Sequence, residues 1–176
     1  MHWADDIAQK IIDRNPDKAE YVCAAGISPS GSIHIGNFRD IATSYFVVKA
    51  LHKKGKKAKL LFSWDEFDRF RKVPVNVAEI KEGMDAFIGK PYVDVPDPFG
   101  CCESYAKHFQ KEFEASIKRF GIEMDYRYQA EQYRSGRYAE YIIRALEKRE
   151  EIFDILDSFR TQEATEDERK IYYPVG

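Results

Sequence analysis

Two short stretches of this 176-residue sequence hold the side chains best suited to chemistry. The first is SPSGSIHIGN, residues 28–37, in which Gly31 and Gly36 leave the backbone bare and His34 offers an imidazole. Such a loop lets an anion approach main-chain N–H groups. Those of a following helix's first turn lack helical acceptors and can meet phosphate oxygens. The N–H groups of Phe38 to Asp40 are expected to play that part. A glycine-rich turn holding a merely hydrogen-bonded histidine has the same composition, so spacing alone leaves both readings open. The second stretch brings a carboxylate (Asp97), two thiols (Cys101, Cys102) and an imidazole (His108) within twelve residues. That donor set suits tetrahedral Zn²⁺, and four protein ligands would close the site and make it structural. Adjacent cysteines are unusual zinc ligands, so buried thiols beside a surface histidine are the other reading.

The elements that must hold these groups can be read from periodicity. Trp3, Ile7 and Ile11 recur at helical spacing behind Asp5 and Asp6, and Asn15-Pro16 ends that helix. YVCAAGI, residues 21–27, is a continuous apolar run, as expected of a strand buried on both faces. After the Gly-rich loop, Phe38, Ile41, Tyr45, Val48 and Leu51 mark a helix with Asn37 as its expected N-cap, closed by Lys53, Lys54 and Gly55. KLLFSW, residues 59–64, reads as a second strand. Strand, loop, helix, strand is a βαβ unit, hence parallel and right-handed, and its loop lies at the carboxyl end of the sheet, where open α/β sheets bind ligands.

Beyond residue 65 the pattern thins. Residues 66–100, broken by Pro74, Pro91, Pro96 and Pro98, read as loop. Ser104 is placed to cap a helix carrying Phe109, Phe113, Ile117 and Phe120 and ended by Gly121, and further helices are expected after Tyr138. The charged run TQEATEDERK reads as linker. Two strands are too few for a nucleotide-binding sheet, so the chain is expected to be part of a longer protein. With 28 basic against 30 acidic residues, net charge −2, bulk charge gives no argument for nucleic-acid binding. Hydrophobic residues at 44% exclude wholesale disorder, and three cysteines exclude a disulfide framework. No apolar run approaches the ~18–20 residues that span a bilayer, so no membrane partner and a cytoplasmic location are expected. Arg119, Arg127, Arg134, Arg137 and Arg144 interleave with Tyr126, Tyr128, Tyr133, Tyr138 and Tyr141, the composition of an RNA-contacting surface or of a solvated helical face.

AAGISPSGSIHIGNFRD resembles the HIGH signature of class I aminoacyl-tRNA synthetases, here as HIGN. Together with MHWAD, FSWDEFDRFRKVP, VPDPFGCCESYAKHF and QYRSGRYAEYI in order, the whole chain is similar to class I lysyl-tRNA synthetase. The family's KMSKS-type loop and anticodon-binding region have no counterpart. The resemblance therefore implies the N-terminal part of the catalytic domain, expected to be inactive by itself. It implies an α/β, Rossmann-like fold, partial and starting as βαβ (residues 1–66), a mainly helical, zinc-stapled insertion (67–160) and a charged end (161–176).

The implied activity joins L-lysine to tRNA(Lys) through lysyl-adenylate, with ATP and Mg²⁺. Ser30, Gly31, His34, Gly36 and Asn37 would hold ATP, with His34, Gly36 and Asn37 taking part in catalysis. His34 would contact the phosphates, Gly36 would leave room for adenine and ribose, and Gly26 and Ser28 would lie against the lysine. A buried substrate ammonium needs a carboxylate, for which Asp65 and Asp68 are candidates; an N-cap role for Asp65 is the plain alternative. The family's metal segment reads D-x-x-x-C-H-x-x-x-x-x-H, so Cys102 stands where the family has histidine, and the zinc ligands would be Asp97, Cys101, Cys102 and His108. The Arg/Tyr-rich segment would approach the tRNA acceptor end, with Ser135-Gly136 near the active site. The rival readings are a sibling synthetase for tryptophan, tyrosine or glutamate, another H-x-G-x nucleotidyltransferase, and a non-catalytic zinc-stapled RNA-binding module.

Overall fold

A computed structural model describes residues 2–162 and 164–175. Helix α1 (Trp3–Arg14) opens with a capping box between His2 and Asp5 and closes at Asn15. Strand β1 (Tyr21–Ile27), helix α2 (Ile35–Lys53) and strand β2 (Ala58–Trp64) form the expected parallel βαβ unit, in register from Tyr21 opposite Ala58 to Ile27 opposite Trp64. After the last turn of α2, Gly55 takes φ +74°, a conformation that favours glycine.

The sheet has a third strand that sequence periodicity does not announce. Strand β3 (Asp125–Tyr128) pairs parallel with β2, Leu61 opposite Asp125 through Trp64 opposite Tyr128, giving the order β1-β2-β3. Tyr126 and Tyr128 of the supposed RNA-facing series thus belong to the sheet and pack against its core. The strand expected to be buried on both faces, β1, instead lies at an edge of the described sheet, with Val22 and Ala24 exposed. On β2 the residues Ala58, Leu60, Phe62 and Trp64 alternate into the core.

Residues 66–100 are not structureless loop. They contain a short helix α3 (Val75–Ala78) and two 3₁₀ turns, wrapped around a second core of Phe70, Val77, Met84, Tyr92 and Val95. Helix α4 (Tyr105–Arg119), capped by Ser104 as expected, serves both cores: Tyr105, Ala106 and Phe109 enter the second, Phe113 and Ile117 the first. Helix α5 (Gln129–Arg134) follows β3 directly. The chain divides into two compact units, Met1–Ala130 and Glu131–Gly176. The second holds α6 (Ala139–Glu147), α7 (Arg149–Asp157) and α8 (Glu166–Ile171). Helix α8 lies in the run expected to be linker, and a Thr165–Glu168 capping box accounts for its start. Within that run and end, Glu163 and Gly176 lie outside the described residues. No helix among the described residues is long and apolar enough to cross a membrane.

Candidate functional site

The carboxyl ends of β1 and β2 converge on the Gly-rich loop. There the N-cap of α2 is His34, not Asn37: the helix begins at Ile35, and His34 Nδ1 accepts from the Gly36 N–H at 3.1 Å. Asn37 and Phe38 both donate to the His34 carbonyl, at 3.0 and 3.2 Å. The Phe38 amide is therefore consumed inside the helix, and the expected free N–H groups do not begin there. Because Nδ1 accepts, the neutral imidazole carries its proton on Nε2, and that N–H is left to donate.

A Cβ at Gly36 would stand 2.8 Å from His34 Cε1 and 2.9 Å from Nδ1. The glycine thus makes room first for the capping ring. Gly36→Ala is expected to push the imidazole off its cap while leaving Tm within about 4 °C, since alanine gains roughly 0.5–1 kcal/mol of helix propensity and the lost cap costs about 1 kcal/mol. Histidine ring NMR shifts together with a thermal melt check this. A Tm fall well beyond that range, or unmoved ring signals, would contradict it. At Gly31 a Cβ would meet nothing within 4 Å, so the loop is open there.

Opposite this loop lie the carboxylates. Gly26 sits so close to β2 that a Cβ would fall 3.2 Å from Ser63 and 3.5 Å from Asp65 Oδ2. Ser63 Oγ donates to Asp65 Oδ1 at 2.8 Å, and Gln129 Nε2 donates to Ser63 Oγ at 2.6 Å, so a short relay from the start of α5 fixes the Asp65 carboxylate. Burial pushes the Asp65 pKa above its ordinary value, and nearby Asp68 adds to the rise, against the Ser63 hydrogen bond. Ser28 Oγ donates to Asp68 Oδ2 at 2.5 Å, and the Ser30 carbonyl accepts from Tyr105 of α4 at 2.9 Å.

Two acidic residues here escape sequence reasoning. Asp40 Oδ2 accepts from the Gly26 N–H at 3.4 Å, which places it beside the end of β1. Glu66, almost wholly buried, accepts from the N–H groups of Gln129 and Ala130 at 3.2 and 2.9 Å and so ties the start of α5 to the site. Burial raises its pKa, against the N–H bonds that favour the charge.

The second candidate cluster assembles as expected. The ligand atoms of Asp97, Cys101, Cys102 and His108 all lie within 4.8 Å of one another. Cys101 Sγ is 3.6 Å from Cys102 Sγ and 3.2 Å from His108 Nδ1, and His108 Nδ1 is 3.5 Å from Asp97 Oδ1. A tetrahedral Zn²⁺ with Zn–S near ~2.3 Å and Zn–N near ~2.0 Å demands ligand separations of roughly 3.4–3.8 Å. The three separations of 3.2–3.6 Å lie near that range, while the set as a whole spreads to within 4.8 Å. Asp97 also organises the loop: its oxygens accept from the N–H groups of Phe99, Cys101 and Cys102 at 3.0, 2.8 and 2.8 Å. Burial opposes its charge, but those three donors outweigh it and hold the carboxyl below its ordinary range. Phe99 stacks on the His108 ring at 4.1 Å and fixes its plane.

The family described as tRNA synthetases class I (K) matches residues 1–176. The chain belongs to this family. It is 48% identical over 160 residues to a lysine–tRNA ligase of Pyrococcus horikoshii, covering 91% of this chain and 30% of that protein. Against a lysine–tRNA ligase of Thermococcus kodakarensis the identity is 52% over 161 residues, again 91% and 30%. A lysine–tRNA ligase of Treponema pallidum is 43% identical over 179 residues, covering all of this chain and 33% of that protein. The chain spans about a third of the length of the curated relatives it matches. The parallel three-stranded sheet and its helices, all within Met1–Ala130, agree with the α/β, Rossmann-like architecture expected of a class I synthetase, with the HIGN loop following β1 at its carboxyl end.

Proposed function

We propose that this chain is the N-terminal catalytic portion of a lysine–tRNA ligase, holding ATP on the HIGN loop and L-lysine against Asp65. The single observation that carries the lysine half is the Asp65 carboxylate, braced by Ser63 and standing 3.5 Å from where a Cβ on Gly26 would be. A Cβ there would crowd Ser63 at 3.2 Å, the bare α-carbon keeps the approach to Asp65 open, and a cationic side chain is what a half-buried carboxylate there would receive. Gly26 and Ser28 then flank the amino acid, and Asp68, bonded to Ser28, adds negative potential.

On the nucleotide side, Ser30, Gly31, His34, Gly36 and Asn37 make up the ATP-binding face, with Mg²⁺ accompanying the phosphates. Lysine's carboxylate is already a nucleophile at neutral pH, so no general base is required. It attacks the α-phosphorus, the bond to pyrophosphate breaks, and the His34 Nε2–H donates to the phosphoryl oxygens as charge grows on them. Transfer to tRNA(Lys) follows from the adenylate. The four donors from Asp97 to His108 would hold a structural Zn²⁺, which supplies no chemistry to the reaction and pins the loop to α4. The three cysteines are free, consistent with a reducing, cytoplasmic setting.

The deciding experiment is amino-acid-dependent ATP–pyrophosphate exchange by the whole synthetase carrying this segment. Exchange with lysine but not tryptophan, tyrosine or glutamate is expected; exchange with one of the others, or none, would defeat the reading. Asp65→Asn should raise KM for lysine about 10-fold or more with kcat little changed, the range for losing a charge-assisted partner.

The pH dependence has a definite sign. Lysine binding weakens as falling pH protonates Asp65, beginning above the carboxyl's ordinary value of 3.8 because burial raises its pKa. For folding, the native state keeps the extra proton between the unfolded and folded pKa values, so this residue's contribution to stability falls as pH rises through that window. Asp65→Asn should remove both dependences.

A further inference from the structure

The segment after β2 carries Arg69, Arg71 and Lys72, three cations in four residues, which the lysine and ATP sites leave unused. They line a cavity of about 420 Å³ together with Ser28, Ser30, Asp68, Pro74 and Tyr92. The cavity therefore begins at the substrate loop itself. Its basic wall is built rather than loose. Phe70 donates to the Lys90 carbonyl at 2.8 Å and accepts from the Gly89 N–H at 2.9 Å, and Tyr92 donates to the Asp68 carbonyl at 3.0 Å. Arg69 forms an antiparallel bridge with Pro91.

Phe70 is fully buried in the second core, so its neighbours on this extended chain, Arg69 and Arg71, turn the other way together. None of the three cations makes an ion pair with a carboxylate among the described residues. Against them the cavity wall sets one carboxylate, Asp68, which Ser28 already engages.

We propose that this cavity binds the backbone phosphates of a single RNA strand whose 3′ end enters the substrate site past Ser28 and Ser30. Arg69 and Arg71 are two residues apart in extended chain, roughly 7 Å along the backbone, a spacing that suits successive phosphodiesters better than the crowded phosphates of one nucleotide. Guanidinium groups engage phosphate by paired N–H bonds, and a fixed backbone spares part of their ordering entropy. The inference rests on the synthetase reading, since it is the acceptor strand of a tRNA that must reach the adenylate.

The test uses the 176-residue chain, a 5′-fluorescein-labelled single-stranded RNA hexamer and, separately, ATP. Arg69→Ala/Arg71→Ala/Lys72→Ala should weaken RNA binding at least about 10-fold and flatten its log–log salt dependence by about 2, from ~0.7 per phosphate contact on a single strand. ATP binding should change less than about twofold. Lys54→Ala/Lys56→Ala, at the opposite end of β2, is the control for bulk charge and should leave RNA affinity and slope nearly unchanged.

RNA affinity retained in the triple variant, an equal loss in the lysine control, or a loss of ATP binding as large as that of RNA would each overturn the proposal. Those outcomes leave the synthetase reading standing. A wild-type chain that binds no RNA, from a whole synthetase inactive with lysine, would remove the reading beneath it. Circular dichroism and Tm of the triple variant, whose substituted side chains are exposed, should match wild type; a collapsed fold would be answered by Arg71→Ala alone, expected to flatten the slope by about 0.7.

Discussion

Replacing His34 by alanine in the whole synthetase should lower kcat for adenylate formation about 10²–10³-fold, roughly 3–4 kcal/mol, with KM for lysine nearly unchanged. The geometry sets this size. His34 Nδ1 is spent on the Gly36 N–H, which commits Nε2–H to whatever faces the loop. A donor aimed where charge accumulates in the transition state acts on kcat rather than on ground-state binding. Alanine also removes the cap of α2, so a second variant is required. Asparagine caps helices about as well as any residue but cannot extend a donor to the same place, so His34→Asn should restore the Tm and not the rate. The measurement is pyrophosphate exchange across lysine and ATP concentrations, with melts of each variant. If His34→Asn recovered the rate, the ring would act only through the helix cap. If His34→Ala raised KM for lysine with kcat intact, the phosphate assignment would be wrong.

The second large effect should come from the metal. The chain expressed with zinc is expected to carry about one equivalent, and chelation or Cys101→Ala should lower Tm by about 10 °C. Zinc sites supply ~10–16 kcal/mol to peptides that have no other core. Here the second core remains, so a loss of about 3–5 kcal/mol is reasonable, at ~2–4 °C per kcal/mol for a chain of this size.

Without an ion the cluster is poorly matched. Hydrogen bonding to Cys102, then loss of some thiol hydration and the Asp97 carboxylate, push the exposed Cys101 thiol up to about 11. A divalent cation converts that repulsion among acceptors into ligation, releasing a proton from the thiol. Zinc retention should therefore weaken as the pH falls. Cys23→Ala, in β1, should leave the zinc content unchanged. Less than a tenth of an equivalent after metal-replete expression would remove the zinc site from the account.

Local signals made part of this legible. The βαβ unit followed from two short apolar runs around a helical repeat, and α4 from Ser104 and its apolar stripe. Strand β3 was not legible: DYRY is four residues long, and its alternation of charge and tyrosine fits a helix surface equally well. The second core hid for a related reason. Phe70, Val77, Met84, Tyr92 and Val95 recur at intervals of seven, seven, eight and three, too sparse for any one element, and meet only because α4 supplies their other side.

At the site, Asn37 outranks His34 as a cap on residue preference, yet the helix starts where the imidazole can bond Gly36. Glu66 lay between two aspartates already singled out, but its partners are 63 and 64 residues away. The four metal-ligand candidates were legible because they are close in sequence and need only one tight loop and one helical turn to meet.

Helix α4 also constrains how the length of this chain can vary. His108, Phe109, Phe113 and Ile117 are read off one rigid cylinder, with the first at the metal loop, the second in one core and the last two in the other. Adding or deleting a single residue between Phe109 and Phe113 would turn everything downstream by about 100°. That would set the zinc loop and the sheet out of phase. The 3₁₀ turn at Met84–Phe87 has no such duty, and its glycine-flanked surroundings can absorb a changed length locally. Insertions and deletions should therefore accumulate around Gly83 and Gly89 and be nearly absent from the interior of α4, whatever the side chains on its outer face.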